Sequence, residues 1–139
     1  MKKNTFLWVL VCLLVVGGLV FITNKNKNNM EEETIVQVAK AGDKVSMNYT
    51  GRLEDGTVFD SNVDPKFNHV EPFVFKLGAG QVIAGWDKGI VGMKVGEKKT
   101  LEIEPADGYG ATGVPGVIPA NAKLIFDVEL VGIVNNVNE

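Results

Sequence analysis

Residues 98–131 read KKTLEIEPADGYGATGVPGVIPANAKLIFDVELV, two strand patterns with a loop between them. In the first, Leu101 and Ile103 alternate with Glu102 and Glu104. In the second, Leu124, Phe126, Val128 and Leu130 alternate with Ile125, Asp127, Glu129 and Val131. Alternation at period two marks strands with one buried face. The connecting stretch, 106–120, holds four glycines, two prolines and one tyrosine, and shows no helix or strand pattern. About 15 residues without regular structure inside a compact domain are usually functional. This loop is poor in polar residues, so it is expected to fold back over something apolar. Tyr49, Phe59, Phe73, Phe75, Trp86 and Phe126 are the candidates. A glycine-proline loop closing over aromatic rings predicts a pocket for an apolar ligand.

Upstream, KVSMNYTGRL at 44–53 places Val45, Met47 and Tyr49 at period two, another strand. Asp55-Gly56 in the following LEDGTVFD is a hairpin-turn signal. Residues 61–72 contain two prolines and no periodicity, so they are expected as loop. FVFKL, from Phe73, puts Phe73, Phe75 and Leu77 on one face of a further strand. In VIAGWDKGI, Ile83, Trp86 and Ile90 make one apolar face of a short helix. Gly85 and Gly89 oppose it by about 1 kcal/mol each relative to alanine. The sum is an α+β domain over 34–139, an antiparallel sheet packed on one short helix.

The N-terminus differs. Lys2 and Lys3 precede an apolar stretch from Phe6 to Ile22, followed by TNKNKNN. Two lysines before about 17 apolar residues predict a signal peptide or signal anchor, near the short end for a spanning helix. The bulky Phe21 and Ile22 disfavour cleavage, so residues 1–23 are expected as an uncleaved transmembrane helix. Cleavage with secretion, or a buried soluble helix, is the alternative. Residues 24–33 form a polar linker with too little to bury. Lysines on both flanks make the positive-inside bias slight, and the expectation is a membrane-anchored domain on the extracytoplasmic side.

Charge follows the same division. Residues 1–29 carry +4 and residues 30–139 carry −7, for a net −3. An acidic domain without a basic patch excludes nucleic acid as a partner. With Cys12 the only cysteine and His69 the only histidine, no disulfide, metal site, cofactor or Cys–His nucleophile is expected. Gly108, Gly110 and Gly113 spell G-x-G-x-x-G, but Pro115 and Pro119 forbid the helix that a nucleotide site needs. Asn48-Tyr49-Thr50 is a glycosylation sequon inside a strand pattern. His69 is expected as a solvated loop side chain. Asp60 is either a turn cap or a carboxylate at the rim of an apolar pocket. Tyr109, among glycines, is placed to display its hydroxyl.

The segments VSMNYTGRLEDGTVFDS, PFVFKLGAGQVIAGWDKGIVGMKVGEKKTLEIEP and YGATGVPGVIPANAKLIFDVELV run in the order found in one family and cover nearly all of 44–131. The domain resembles the FKBP-type peptidyl-prolyl cis-trans isomerases, the immunosuppressant-binding class. That resemblance implies a twisted antiparallel half-barrel wrapped around one short helix, with the pocket between them. It implies Tyr49, Phe59, Asp60, Trp86, Tyr109 and Phe126 as catalytic residues, with Trp86 as floor and the Tyr109 hydroxyl as a donor. Phe73, Val82, Ile83, Val117 and Ile118 are implied as substrate-binding, with the Ile83 N–H a second donor. The implied partners are proline-containing polypeptides and macrolide immunosuppressant-type ligands. Three departures stand out. Val114 replaces a histidine common in the family, residues 62–71 are longer than in the minimal domain, and Arg52, the only arginine, gives Asp60 no evident basic partner. The competing readings are a non-catalytic binding module and a structural domain with its aromatics fully packed.

Overall fold

The structure, a computed structural model, describes residues 13–16, 18–22 and 35–134. The chain divides into two units, residues 1–37 and 38–139.

The first unit contains three short strands, β1 (Leu13–Val16), β2 (Leu19–Ile22) and β3 (Ile35–Gln37), in an antiparallel sheet of order β1-β2-β3. The helix expected across Phe6–Ile22 is not what its described part forms. Leu13 pairs with Ile22 and Val16 with Leu19, with Gly18 at φ 83° in the connection. The physical reason lies in composition. Val15, Val16, Val20, Phe21 and Ile22 are β-branched or aromatic and favour a pleated backbone, while Gly18 admits the positive φ of a tight link. Among the described residues no helix is long and apolar enough to cross a membrane. The remainder of the expected anchor and the 24–33 linker lie outside the described residues.

The second unit is built on β4 (Lys44–Leu53), β5 (Val58–Ser61), β6 (Phe73–Lys76), β7 (Lys98–Ile103) and β8 (Leu124–Ile133). Order β5-β4-β8-β7, with every pairing antiparallel, makes β7 one edge of the sheet. The two ten-residue strands, β4 and β8, form its centre. The Asp55-Gly56 turn closes as the sequence predicts. The Leu53 N–H donates to the Thr57 carbonyl at 2.9 Å, and the Thr57 N–H to Asp55 Oδ1 at 2.8 Å.

One edge of β4 is divided. Residues 44–47 pair with β6 and residues 50–52 with β5. Between these ladders the chain leaves for the 62–72 loop, which holds a 3₁₀ turn at Pro65–Phe67. The side chain of Asn62 fills the gap. Its Oδ1 accepts from the Tyr49 N–H at 2.7 Å, and its Nδ2 donates to the carbonyls of Met47 and Glu71, both at 2.9 Å. A side-chain amide thus stands in for the missing length of strand, satisfying backbone groups whose burial unpaired would cost free energy.

Helix α1 (Ala84–Ile90) packs on the sheet through its glycines. A Cβ on Gly85 would lie 2.6 Å from Ile103 Cγ2, and one on Gly89 2.7 Å from Leu101 Cδ2. The two residues that oppose this helix by propensity are the two that allow it to approach β7. Asp87 ties its first turn to the preceding bend, accepting from the N–H groups of Gly78 at 2.8 Å and Gly80 at 3.1 Å. Trp86 and Ile90 then enter a core with Val45, Met47, Phe75, Leu77, Leu124 and Leu130.

Gly85→Ala tests this seat directly. It should gain about 1 kcal/mol of helix propensity and lose about 1–3 kcal/mol to overpacking against Ile103. The expected result is a lower urea midpoint with unchanged slope; a midpoint at or above the parent's would show that the sheet can yield.

Candidate active site

Alternation on β4, β5 and β8 carries Tyr49, Phe59 and Phe126 to the face of the sheet that meets α1. Gly51, between the Tyr49 and Leu53 positions, makes room for two of these rings. A Cβ there would lie 2.6 Å from both Phe126 Cε1 and Phe59 Cζ. The rings close edge to face. Phe59 and Phe126 have centroids 5.5 Å apart at 84°, Trp86 and Phe126 5.3 Å at 88°, and Trp86 and Tyr49 5.2 Å at 77°. Such pairs contribute about 0.5–1.5 kcal/mol each beyond the area they bury. Phe73 completes the wall from β6, 6.2 Å from both Tyr49 and Trp86.

These rings enclose a cavity of about 370 Å³. All eleven site residues expected from the sequence line it: Tyr49, Phe59, Asp60, Phe73, Val82, Ile83, Trp86, Tyr109, Val117, Ile118 and Phe126. Gln81 and Val114 line it as well. Trp86 and Phe126 are buried at 4% and 5% exposure, while Phe73, Tyr109 and Val117 are exposed. The deep end is therefore fixed core and the rim is open. A second, more open groove of about 420 Å³ lies on the opposite face of the sheet, where Asn48, Thr50, Lys98, Thr100, Asp127 and Glu129 point. Its charges have partners already: Lys98 meets Glu129, Asp127 meets Arg52, and Lys99 donates to the Gly89 carbonyl.

The 106–120 loop does close over the aromatics. After a 3₁₀ turn at Pro105–Asp107, the Val114 and Ile118 N–H and carbonyl groups bridge each other at 2.8 Å, presenting Val117 and Ile118 to the cavity. No helix follows the glycines, which removes the phosphate-binding reading.

Polar groups in the cavity are few. The Tyr49 hydroxyl donates to Asp60 Oδ2 at 2.7 Å, and the Ser61 N–H donates to Asp60 Oδ1 at 2.9 Å. Burial, and then the bond to the Asp60 carboxylate, hold the Tyr49 phenol protonated far above the usual phenol range. Ile83 precedes α1, and its carbonyl accepts from the Trp86 and Asp87 N–H groups. Among the described residues nothing accepts from the Ile83 N–H or pairs with the Tyr109 hydroxyl. Both are free to meet a ligand. The buried Trp86 Nε1–H likewise has no partner among the described residues. Those residues contain no cluster of three or more acidic, His or Cys side chains able to hold a metal.

Two residues escaped the sequence reading. His69 is exposed, as expected of a loop side chain, and its Nε2 also lies 2.7 Å from Asp60 Oδ1. Its loop position is long and aperiodic, so only the tertiary path of 62–72 brings it there. Asn62 is 3% exposed although polar; nothing in its local pattern marks it as buried. Arg52 pairs with Asp127 on the far face, where Thr100 also donates to that carboxylate at 2.7 Å. It plays no part at Asp60.

An antiparallel sheet, one short helix and a ring-lined cavity between them define an FKBP-type domain. The family model described as "FKBP-type peptidyl-prolyl cis-trans isomerase" matches residues 36–131, and the chain belongs to that family. It is 54% identical over 100 residues to FK506-binding protein 1A of Aspergillus fumigatus, covering 72% of this chain and 86% of that one. It is 54% identical over 96 residues to peptidyl-prolyl cis-trans isomerase FPR2 of Saccharomyces cerevisiae, covering 68% of each. Among solved structures, the crystal structure of AtFKBP13 matches with a TM-score of 0.62 at 33% identity, covering 84% of this chain and 94% of that one.

The Asn62 bridge yields a stability prediction. Asn62→Ala leaves the Tyr49 N–H and the Met47 carbonyl without these partners, each costing about 1–3 kcal/mol if unpaired. A drop of about 2–4 kcal/mol in unfolding free energy is expected from denaturant titration; a change under about 0.5 kcal/mol would mean that water takes the place of the amide.

Proposed function

We propose that this chain accelerates X-Pro isomerisation in unfolded or folding polypeptides by holding the twisted amide in the aromatic cavity, without covalent chemistry. The observation that carries this reading is the cavity itself. Its floor and back are Trp86 and Phe126, and the Ile83 N–H and the Tyr109 hydroxyl at its mouth have no partner among the described residues.

The barrier to rotating a peptide bond is about 18–20 kcal/mol because resonance keeps it planar. Bonds preceding proline interconvert over tens to hundreds of seconds. Halfway through the rotation, resonance is lost and the carbonyl oxygen carries less negative charge. An apolar enclosure therefore disfavours the planar, more dipolar forms relative to the twisted one, which is differential binding of the transition state. Trp86, Phe59, Phe73 and Phe126 hold the prolyl ring. The Ile83 N–H and Tyr109 hydroxyl hold flanking carbonyls. Asp60 orients the Tyr49 hydroxyl, and Val82, Val117 and Ile118 shape the rim. Macrolide immunosuppressant-type ligands would enter the same cavity and block turnover.

The full chain should speed a proline-limited refolding reaction, and an FK506-type macrolide should suppress that effect. No acceleration at micromolar enzyme would refute the assignment and leave a binding module. Phe126→Tyr places a hydroxyl against the ring with no acceptor prepared for it. Desolvating that hydroxyl when the prolyl ring enters costs about 1–3 kcal/mol, which predicts a loss of about tenfold in kcat/KM.

The apolar run 6–22 is assigned the role of a membrane tether, with the isomerase domain on the extracytoplasmic side. Lipid offers the backbone no partners, so a spanning segment must satisfy itself as a helix; the tether would be helical there. The chain should stay with membranes through alkaline carbonate washing, and protease added to intact cells or spheroplasts should remove the domain. Release into the wash would overturn the tether.

A further inference from the structure

His69 is the only histidine in the chain, and it touches the one carboxylate that lines the aromatic cavity. Asp60 Oδ1 takes His69 Nε2 at 2.7 Å and the Ser61 N–H at 2.9 Å, while Oδ2 takes the Tyr49 hydroxyl at 2.7 Å. The imidazole also lies beside the Tyr49 ring, centroids 6.5 Å apart. Tyr49 in turn meets Trp86, the floor of the cavity. His69 thus closes a chain of contacts that runs from the loop 62–72 to the centre of the site.

Charge at this rim has few sources. Arg52 is committed to Asp127 on the opposite face. Lys66 lies over the Phe67 ring and 4.0 Å from Asp64, within its own loop. Glu71 meets Asn62 through its backbone carbonyl. The Tyr49 phenol is held protonated by burial and by Asp60. Among the described residues His69 is the only basic side chain paired with Asp60. An imidazolium at this position would offset the Asp60 charge.

We propose that His69 is a positioning and specificity-determining residue of the isomerase site. It aligns the Asp60 carboxylate toward Tyr49, and its proton decides whether acidic residues beside the proline are accepted. The proposal rests on the isomerase reading above. With neutral His69 the rim carries the bare Asp60 charge and repels Glu or Asp in the substrate. With imidazolium the pair is neutral and the repulsion vanishes. No direct contact is needed. A cavity of about 370 Å³ is comparable in width to the screening length of about 8 Å at physiological salt, so residues flanking a bound proline lie within reach of the field.

The test compares kcat/KM for two peptides, one with Glu and one with Leu before proline, at pH 5.5 and pH 8.0, using the full chain. In the wild type the Glu/Leu ratio should be about two- to threefold higher at pH 5.5, as for unit charges about 7 Å apart in a nearly aqueous dielectric. His69→Arg should show the high ratio at both pH values, and His69→Gln, which keeps a donor but not the charge, the low ratio at both. A wild-type ratio that does not change with pH overturns the proposal, as does the same pH response in His69→Gln. Should the wild type accelerate neither peptide, it is the isomerase reading that fails. Calorimetric affinities of the same two peptides at the two pH values then decide the His69 proposal by the same ratio.

Discussion

The close seat of α1 on β7 is the constraint on which the site depends. A helix that bore side chains at 85 and 89 would stand further from the sheet, and Trp86 would lose its edge-to-face contacts with Tyr49 and Phe126. Two glycines that weaken the isolated helix therefore hold the cavity floor in place. Local propensity and tertiary packing pull in opposite directions here, and packing prevails. Overlap with Ile103 or Leu101 costs as much as or more than the propensity that an alanine would add.

The wall opposite the helix depends on a different solution. One edge of β4 serves two strands, and the turn between them would leave backbone groups unpaired in the interior. Asn62 supplies both a donor and an acceptor at that point. The loop it anchors is also the one that brings His69 to Asp60. Ladder hydrogen bonding, loop path and rim charge are thus linked through one buried amide, although none of these residues is near another in local pattern.

Much of the domain was legible from residue order. Period-two alternation marked β4, β7 and β8, Asp55-Gly56 marked the hairpin, and Ile83, Trp86 and Ile90 marked the helix, because each signal is set by neighbours a few residues away. The eleven cavity residues were legible through the family resemblance, since a lone Phe or Tyr carries no sign of pocket or core. Asn62 and His69 were not legible. Their partners lie 13 and 9 residues away, and such contacts arise only from the tertiary path of an aperiodic loop. At the N-terminus hydropathy alone favoured a helix, yet Val15, Val16, Val20 and Ile22 stand in strands. Apolar length does not by itself choose a backbone; β-branching and a positive-φ glycine favour paired strands.

The sheet ends on β7, whose first residues are Lys98 and Lys99. Lys98 reaches Glu129 at 3.5 Å, and Lys99 Nζ donates to the Gly89 carbonyl at 3.0 Å. An open strand is ordinarily a template on which foreign chains can add, and lysines there are a recognised deterrent. A catalyst of refolding meets its substrates while their own strands are still unpaired. Lysines at that border oppose the addition of such a strand.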